Sequence, residues 1–217
     1  MASEIKQGTL ELVNHLPILQ VITPMLIAPI LVVLNNKTLS WLLSFLGALA
    51  CLFISILLMQ TVSDGSILTY YLGGWVPPIG IEYRIDAANA ILLFLISIIS
   101  AIVLIFSYSS LHAEIPEEKH TLFYSCFLLC LTGLLGVVAT ADIFNVFVFL
   151  EISSLSTYVL VAQGAYLDRR ALSASFNYLI MGTIGATFFV IGIGYIYMAT
   201  GSLNMMDIAE RVNQLSD

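Results

Sequence analysis

Apolar residues in this chain come in long unbroken runs, and the polar residues gather in short breaks between them. The runs cover 16–34, 39–62, 87–108, 121–140, 142–161 and 172–200. A run of about 18 or more uncharged apolar residues is long enough to cross a hydrocarbon core. The pattern therefore predicts an all-α fold, a polytopic membrane bundle of six transmembrane helices over 16–200. A polar segment, 1–15, precedes it and an acidic tail, 201–217, follows. No small-residue cleavage site follows a short basic start, so the opening residues do not read as a removable signal peptide.

The breaks predict how the spans are joined. Pro17, Pro24 and Pro29 lie in the first run, where neighbouring helices can satisfy the freed carbonyls, so that helix should be kinked but spanning. Asn35, Asn36 and Lys37 make a short turn. The stretch 63–86 carries Tyr70, Tyr71, Gly73, Gly74, Trp75, Pro77, Pro78, Gly80, Glu82 and Arg84, a composition that predicts an interfacial hairpin or loop. Asp86 and Asp142 stand where helix N-caps belong. An outside N-terminus would put Lys37, Lys119, Arg169 and Arg170 inside against Lys6, Arg84 and Arg211 outside. The adjacent Arg169–Arg170 pair favours that orientation.

Composition sharpens the class. The chain is 59% apolar and 10% charged, with a mean hydropathy of +1.00, against about a quarter charged in soluble chains. A net charge of −7 leaves no basic stripe for phosphates, so nucleic acid is not an expected partner. The lipid bilayer is, and the location expected is the inner or plasma membrane. Cys51, Cys126 and Cys130 lie inside apolar runs and read as packing residues rather than disulfides. Cys126 and Cys130 have no His, Asp or Glu at ligand spacing on their face, so no metal is expected. No phosphate-cradling glycine loop, zinc-protease motif or nucleophile elbow occurs. No cofactor is expected, only transported ions, H+ alone or H+ with Na+.

One ionisable residue falls deep within a span. Glu151 follows Asp142 by nine residues, about 13 Å along a helix axis and near the middle of a core about 30 Å thick. A carboxylate there costs at least a few kcal/mol and usually faces a bundle interior or a water-filled path. Its protonation would respond to any cation that approaches, as a proton carrier requires. Ser154 and Tyr158 share its face at i+3 and i+7, with Ser153, Ser156 and Thr157 nearby. Their hydroxyls suit a water chain or a small cation. The competing reading is a neutral acid gluing helices together while the hydroxyls bond back to carbonyls.

Other candidates carry less. Asp142 reads as a cap or a path residue, and Asn177, polar in an apolar setting, as a partner for a neighbour or for water. His112, Glu114, Glu117, Glu118 and His120 fit a solvated loop better than a metal site. Gly182, Gly185, Ala186, Gly192 and Gly194 give the last span a small-residue side for close helix contact.

The run from Asp142 through Phe149, Leu150, Glu151, Ile152, Ser153 and Ser154 to Tyr158 resembles the fifth-helix signature of a known family. These are the antiporter-like subunits of Mrp-type cation/proton antiporters, complex I (NADH:quinone oxidoreductase) and membrane-bound hydrogenases. Tyr71–Trp75 with Pro78, Gly80, Glu82 and Asp86 resembles their second extramembrane loop, in the style of the D-type subunit of Mrp antiporters. Tyr195–Asn204 resembles the segment closing their sixth helix.

The resemblance implies the first six helices of a fourteen-helix fold with inverted repeats. It also implies a proton path through the glutamate matched by Glu151, paired in the family with a lysine on a broken seventh helix. That lysine is not in this sequence, and Asn177 stands where several relatives carry a sixth-helix lysine. Three functions follow as expectations. One is proton/cation translocation as a truncated or split subunit of a multisubunit Mrp-type Na+/H+ antiporter, completed by a chain supplying the missing helices. The second is a proton-pumping subunit of an NADH:quinone oxidoreductase or membrane-bound hydrogenase. The third is a non-transporting remnant or packing subunit. A transporter subunit is favoured over an enzyme.

Overall fold

The fold is taken from a computed structural model that describes residues 14–215. Most of the polar segment 1–15, with Lys6, lies outside the described residues. Six long helices follow one another: α1 (Leu16–Leu34), α2 (Lys37–Thr61), α3 (Ala87–Glu114), α4 (His120–Ala139), α5 (Ile143–Gln163) and α6 (Arg170–Thr200). All six are long and apolar enough to cross a membrane. Consecutive spans must exit on alternate sides, so the turn 35–36 and the connections 115–119 and 164–169 share one membrane face. A two-stranded hairpin, β1 (Leu68–Tyr71) and β2 (Glu82–Ile85), and a short helix α7 (Met205–Leu215) occupy the other.

Local chemistry sets the helix ends. The Asn36 side chain accepts from the Thr38 and Leu39 amides, and Asp86 and Asp142 accept from the Asn89 and Asn145 amides, satisfying donors no helix can pair internally. Gly201 closes α6 at φ 67°, its amide bonded to the Tyr197 carbonyl, a conformation that spares glycine the Cβ penalty. Pro24 and Pro29 sit within α1, which runs unbroken to Leu34.

Two segments are more helical than their polarity suggests. α3 continues past residue 108 to Glu114 because Ser110 bonds Glu114 and His112 bonds the Tyr108 carbonyl. It ends at Ile115, whose extended backbone is what the following Pro116 requires. The acidic tail folds as α7, with Asn204 accepting from the Met206 and Asp207 amides. Arg211 anchors α7 to the end of α6 by donating to the Thr200 carbonyl at 2.8 Å.

α4 is the central helix, packed against α5 and α1 and touching α2 and α3 at its edges. Close approach to α5 depends on glycine: a Cβ on Gly133 would meet the Phe149 carbonyl oxygen at 2.6 Å, and one on Gly136 would overlap the Phe149 ring. Inter-helix hydrogen bonds supplement the packing, as hydroxyls and amides do in lipid. Ser125 donates to the Ala28 carbonyl at 2.9 Å, Gln20 to Ser97 at 3.1 Å and Trp41 to the Leu104 carbonyl at 2.9 Å. α6 stands apart. It packs chiefly on α5, and only 6% of its apolar window is buried.

The hairpin closes its own end of the bundle. Tyr83 and Ile85 on β2 are buried, while Trp75, Val76 and Ile79 on the connecting loop are exposed where rings and apolar groups favour headgroups. The Ala141 amide donates to the Glu82 carbonyl, Ile143 to Leu203 and Met205 to Ala141, each at 2.9 Å. These bonds knit β2, the α4–α5 turn and the α6–α7 turn into one layer.

Candidate functional site

Glu151 lies nine residues into the 21-residue α5, about half-way across the span. Its half-buried side chain lines a cavity of about 280 Å³ between α5 and α6, together with Ser154. The opposite wall is Gly182, Gly185 and Ala186 of α6, and Phe147 and Phe189 line it as well. The small-residue stripe is thus divided by the tertiary structure. A Cβ on Gly182 would overlap the Tyr158 hydroxyl, whereas Gly185, Gly192 and Gly194 have nothing within 4 Å. Only the first makes the close helix contact the spacing suggested; Gly185 with Ala186 leaves the space that Glu151 faces.

The hydroxyls sort by face in the same way. Ser153, Ser156 and Thr157 donate to the carbonyls of Leu150, Ile152 and Ser153, and Thr157 also meets Cys130 at 3.4 Å across the α4 seam. They behave as helix-bonded packing groups. Ser154 alone of this set joins Glu151 on the cavity side. Tyr158 is buried in the same α5–α6 seam, edge-on to Tyr178 with ring centroids 4.9 Å apart, and its carbonyl accepts from Ser175 at 2.8 Å. Its hydroxyl abuts Gly182, itself part of the cavity wall. None of the residues lining the cavity is a cation, so no charge within it offsets a carboxylate on Glu151.

The other two candidates lie elsewhere. Asn177 is exposed on α6 and does not line the cavity. Asp142 caps α5, accepting from the Asn145 amide at 2.7 Å. It belongs to a buried polar layer with Glu82, Tyr83, Thr140 and Asn204. Asn204 donates to the Glu82 carboxylate at 2.7 Å, and Asn145 to Thr140 at 3.1 Å. Burial raises the Asp142 carboxyl above its ordinary value despite the bonds from the Asn145 and Phe144 amides. Burial likewise pushes the Tyr83 phenol up to about 12, against a hydrogen bond with Asn145. Sequence spacing did not anticipate this layer, since Glu82 and Asn204 are 122 positions apart. Of the five His and Glu residues in the segment 112–120, His112 stacks edge-on against His120 and Glu117 pairs with Lys37. Among the described residues no cluster of three or more His, Cys, Asp or Glu is placed to hold a metal.

The chain is similar to known proteins over nearly its whole length. Residues 140–217 match the family model described as NADH:quinone oxidoreductase/Mrp antiporter, TM. NADH-quinone oxidoreductase subunit N of Desulforudis audaxviator is 40% identical over 206 residues, covering 94% of this chain and 40% of that protein. The D-type subunit of the Na(+)/H(+) antiporter of Alkalihalophilus pseudofirmus is 30% identical over 203 residues, covering 93% and 40%. A chain of the archaeal membrane-bound sulfane sulfur reductase superposes with a TM-score of 0.79 at 32% identity, over 92% of this chain and 39% of that one. A chain of the Mrp complex from Dietzia sp. superposes at 0.77 with 21% identity, a likeness of fold. This chain spans about two-fifths of the length of these relatives. It is a multi-pass membrane protein, and it is similar over nearly its whole length to antiporter-like membrane subunits of Mrp cation/proton antiporters and of NADH:quinone oxidoreductases.

Proposed function

We propose that Glu151 is the midmembrane proton carrier of a multisubunit cation/proton antiporter of the Mrp type, exchanging Na+ for H+, with Ser154 and Tyr158 lining its path. The supporting observation is a single carboxylate, half-buried at mid-span, facing a cavity with no cation of its own. A negative charge at that position has no counter-charge among the cavity's residues. A lysine brought to 4 Å from outside these six helices would attract that charge by about 4 kcal/mol at an effective dielectric near 20, so its approach would release a proton and its withdrawal would take one up. α6 leaves most of its surface open, which gives further helices of a larger assembly a side from which to bring that cation.

The test is exchange in membrane vesicles, read as dissipation of an imposed pH gradient on adding Na+. Glu151→Gln should abolish exchange while the chain stays at wild-type abundance. Normal exchange in that variant would sink the proposal.

A redox-driven proton-pumping complex is the second reading, favoured by the 40% identity to an oxidoreductase subunit against 30% to the D-type antiporter subunit. Purification of the native assembly through an N-terminal tag, with every companion identified by mass, separates the two. Redox subunits among the companions would select the second; small antiporter subunits alone would discredit it.

A further inference from the structure

A second cavity, of about 340 Å³, opens far from Glu151, at the opposite membrane face from the hairpin. It lies where α3 ends, α4 begins and α5 ends. Ile115, Leu122 and Val159 form its apolar wall, and the exposed Lys119 and Tyr166 line it together with the half-buried Gln163. Leu122 and Val159 are 40% exposed on the bundle's outer surface, so the cavity is a furrow open to the bilayer. Gln163 follows Ile143 by 20 residues, about 30 Å of helix. With Ile143 at one boundary of the hydrocarbon core, Gln163 stands at the other, at headgroup depth.

Two features there lack partners. Both polar atoms of the Gln163 side chain, Nε2 and Oε1, are buried and unpaired, and among the described residues no other side chain leaves both ends of an amide so. Buried polar groups are normally satisfied, and each exception asks for a cause. Lys119 has no ion-pair partner among the described residues. The nearby acids do not serve it: Glu117 and Glu118 line a separate recess with Lys37 and Thr121, and Glu117 pairs with Lys37.

A free cation, a buried donor, a buried acceptor and a lipid-facing apolar wall are together complementary to one kind of molecule. We propose that this furrow is a binding site for an anionic glycerophospholipid of the phosphatidylglycerol class. An acyl chain lies along Ile115, Leu122 and Val159. The phosphate meets Lys119 and accepts from Gln163 Nε2, and a headgroup hydroxyl donates to Gln163 Oε1. Phosphatidylcholine offers the phosphate but neither net negative charge nor a hydroxyl donor, so the site discriminates against it.

The test uses phosphatidylglycerol and phosphatidylcholine probes, each with a photoreactive diazirine in the acyl chain, in native membranes holding the intact assembly. After illumination, adducts are mapped by mass. One basic contact at the surface is worth about a fivefold preference, so peptides holding Leu122 and Val159 should carry about fivefold more adduct from phosphatidylglycerol. Lys119→Gln and Gln163→Leu should each cut that excess towards the phosphatidylcholine level. Labelling at Phe106, an exposed residue on α3, should be equal for both probes in every variant and reports that the fold is intact. Equal labelling of the furrow by both probes, or a phosphatidylglycerol excess that survives both substitutions, would overturn the proposal. So would loss of the excess on adding soluble glycerol phosphate, which would mark a site for a free anion.

Discussion

The contact between α5 and α6 holds Glu151 opposite its cavity, and two glycines three residues apart test it. A Cβ on Gly182 would overlap the Tyr158 hydroxyl and lie 3.0 Å from its Cζ. Tyr158 has little freedom to retreat, being 6% exposed, packed on Tyr178 and pinned at its carbonyl by Ser175. Overpacking of this kind costs about 1–3 kcal/mol, and alanine in a helix returns about 0.5–1 kcal/mol relative to glycine. Gly182→Ala should therefore destabilise the chain by about 1–2 kcal/mol. Gly185→Ala meets nothing within 4 Å and should be neutral or stabilising by up to about 1 kcal/mol. Cys51 and Cys126 are buried, so the rate at which a thiol-reactive dye labels them during heating in mild detergent reads unfolding directly. The two variants should melt about 4–8 °C apart. Adding Tyr158→Phe to Gly182→Ala should recover most of the loss, because the hydroxyl is the obstructing atom. Equal midpoints for the two variants, or no recovery in the double variant, would refute the placement of α6.

The layer on the hairpin side makes two further predictions. Asp142→Ala removes the α5 cap and should cost about 1 kcal/mol, whereas Asp142→Asn keeps it. The raised native carboxyl of Asp142 adds a pH dependence of definite sign: its stabilising contribution is complete below its ordinary value of 3.8 and is lost as pH rises through the higher native value. Wild type should therefore fall relative to Asp142→Asn as pH rises above 3.8; a constant difference in melting midpoint would contradict this. Asn204→Leu strands the buried Glu82 carboxylate and should lower stability by about 1–3 kcal/mol, checked by the same dye assay. A cost below a few tenths would mean that α7 and β2 are not joined as described.

The six spans, the caps at Asp86 and Asp142 and the isolation of Glu151 were legible in the chain because they are local. A run of apolar residues, a short acid before it and one carboxylate within it are one-dimensional facts that the bilayer and helix geometry convert directly into structure. The helical ends of α3 and α7 were less legible, since polar side chains that bond back to their own helix look the same in sequence as those of a loop. What only the tertiary structure decided was which face meets which neighbour. The run from Ser153 to Tyr158 is hydroxyl-rich all round, and packing against α4 on one side and α6 on the other chose Ser154 for the cavity and sent Ser153, Ser156 and Thr157 to carbonyls. The stripe of small residues on α6 foretold close contact, yet only Gly182 makes it, because Tyr158 projects at that one level. Glu82 and Asn204 met only when the ends of four spans were brought to one membrane face. Hydropathy fixes how many times a chain crosses the membrane; the rotation of each helix about its axis is set by side chains distant in sequence, and that rotation decides what a buried carboxylate can touch.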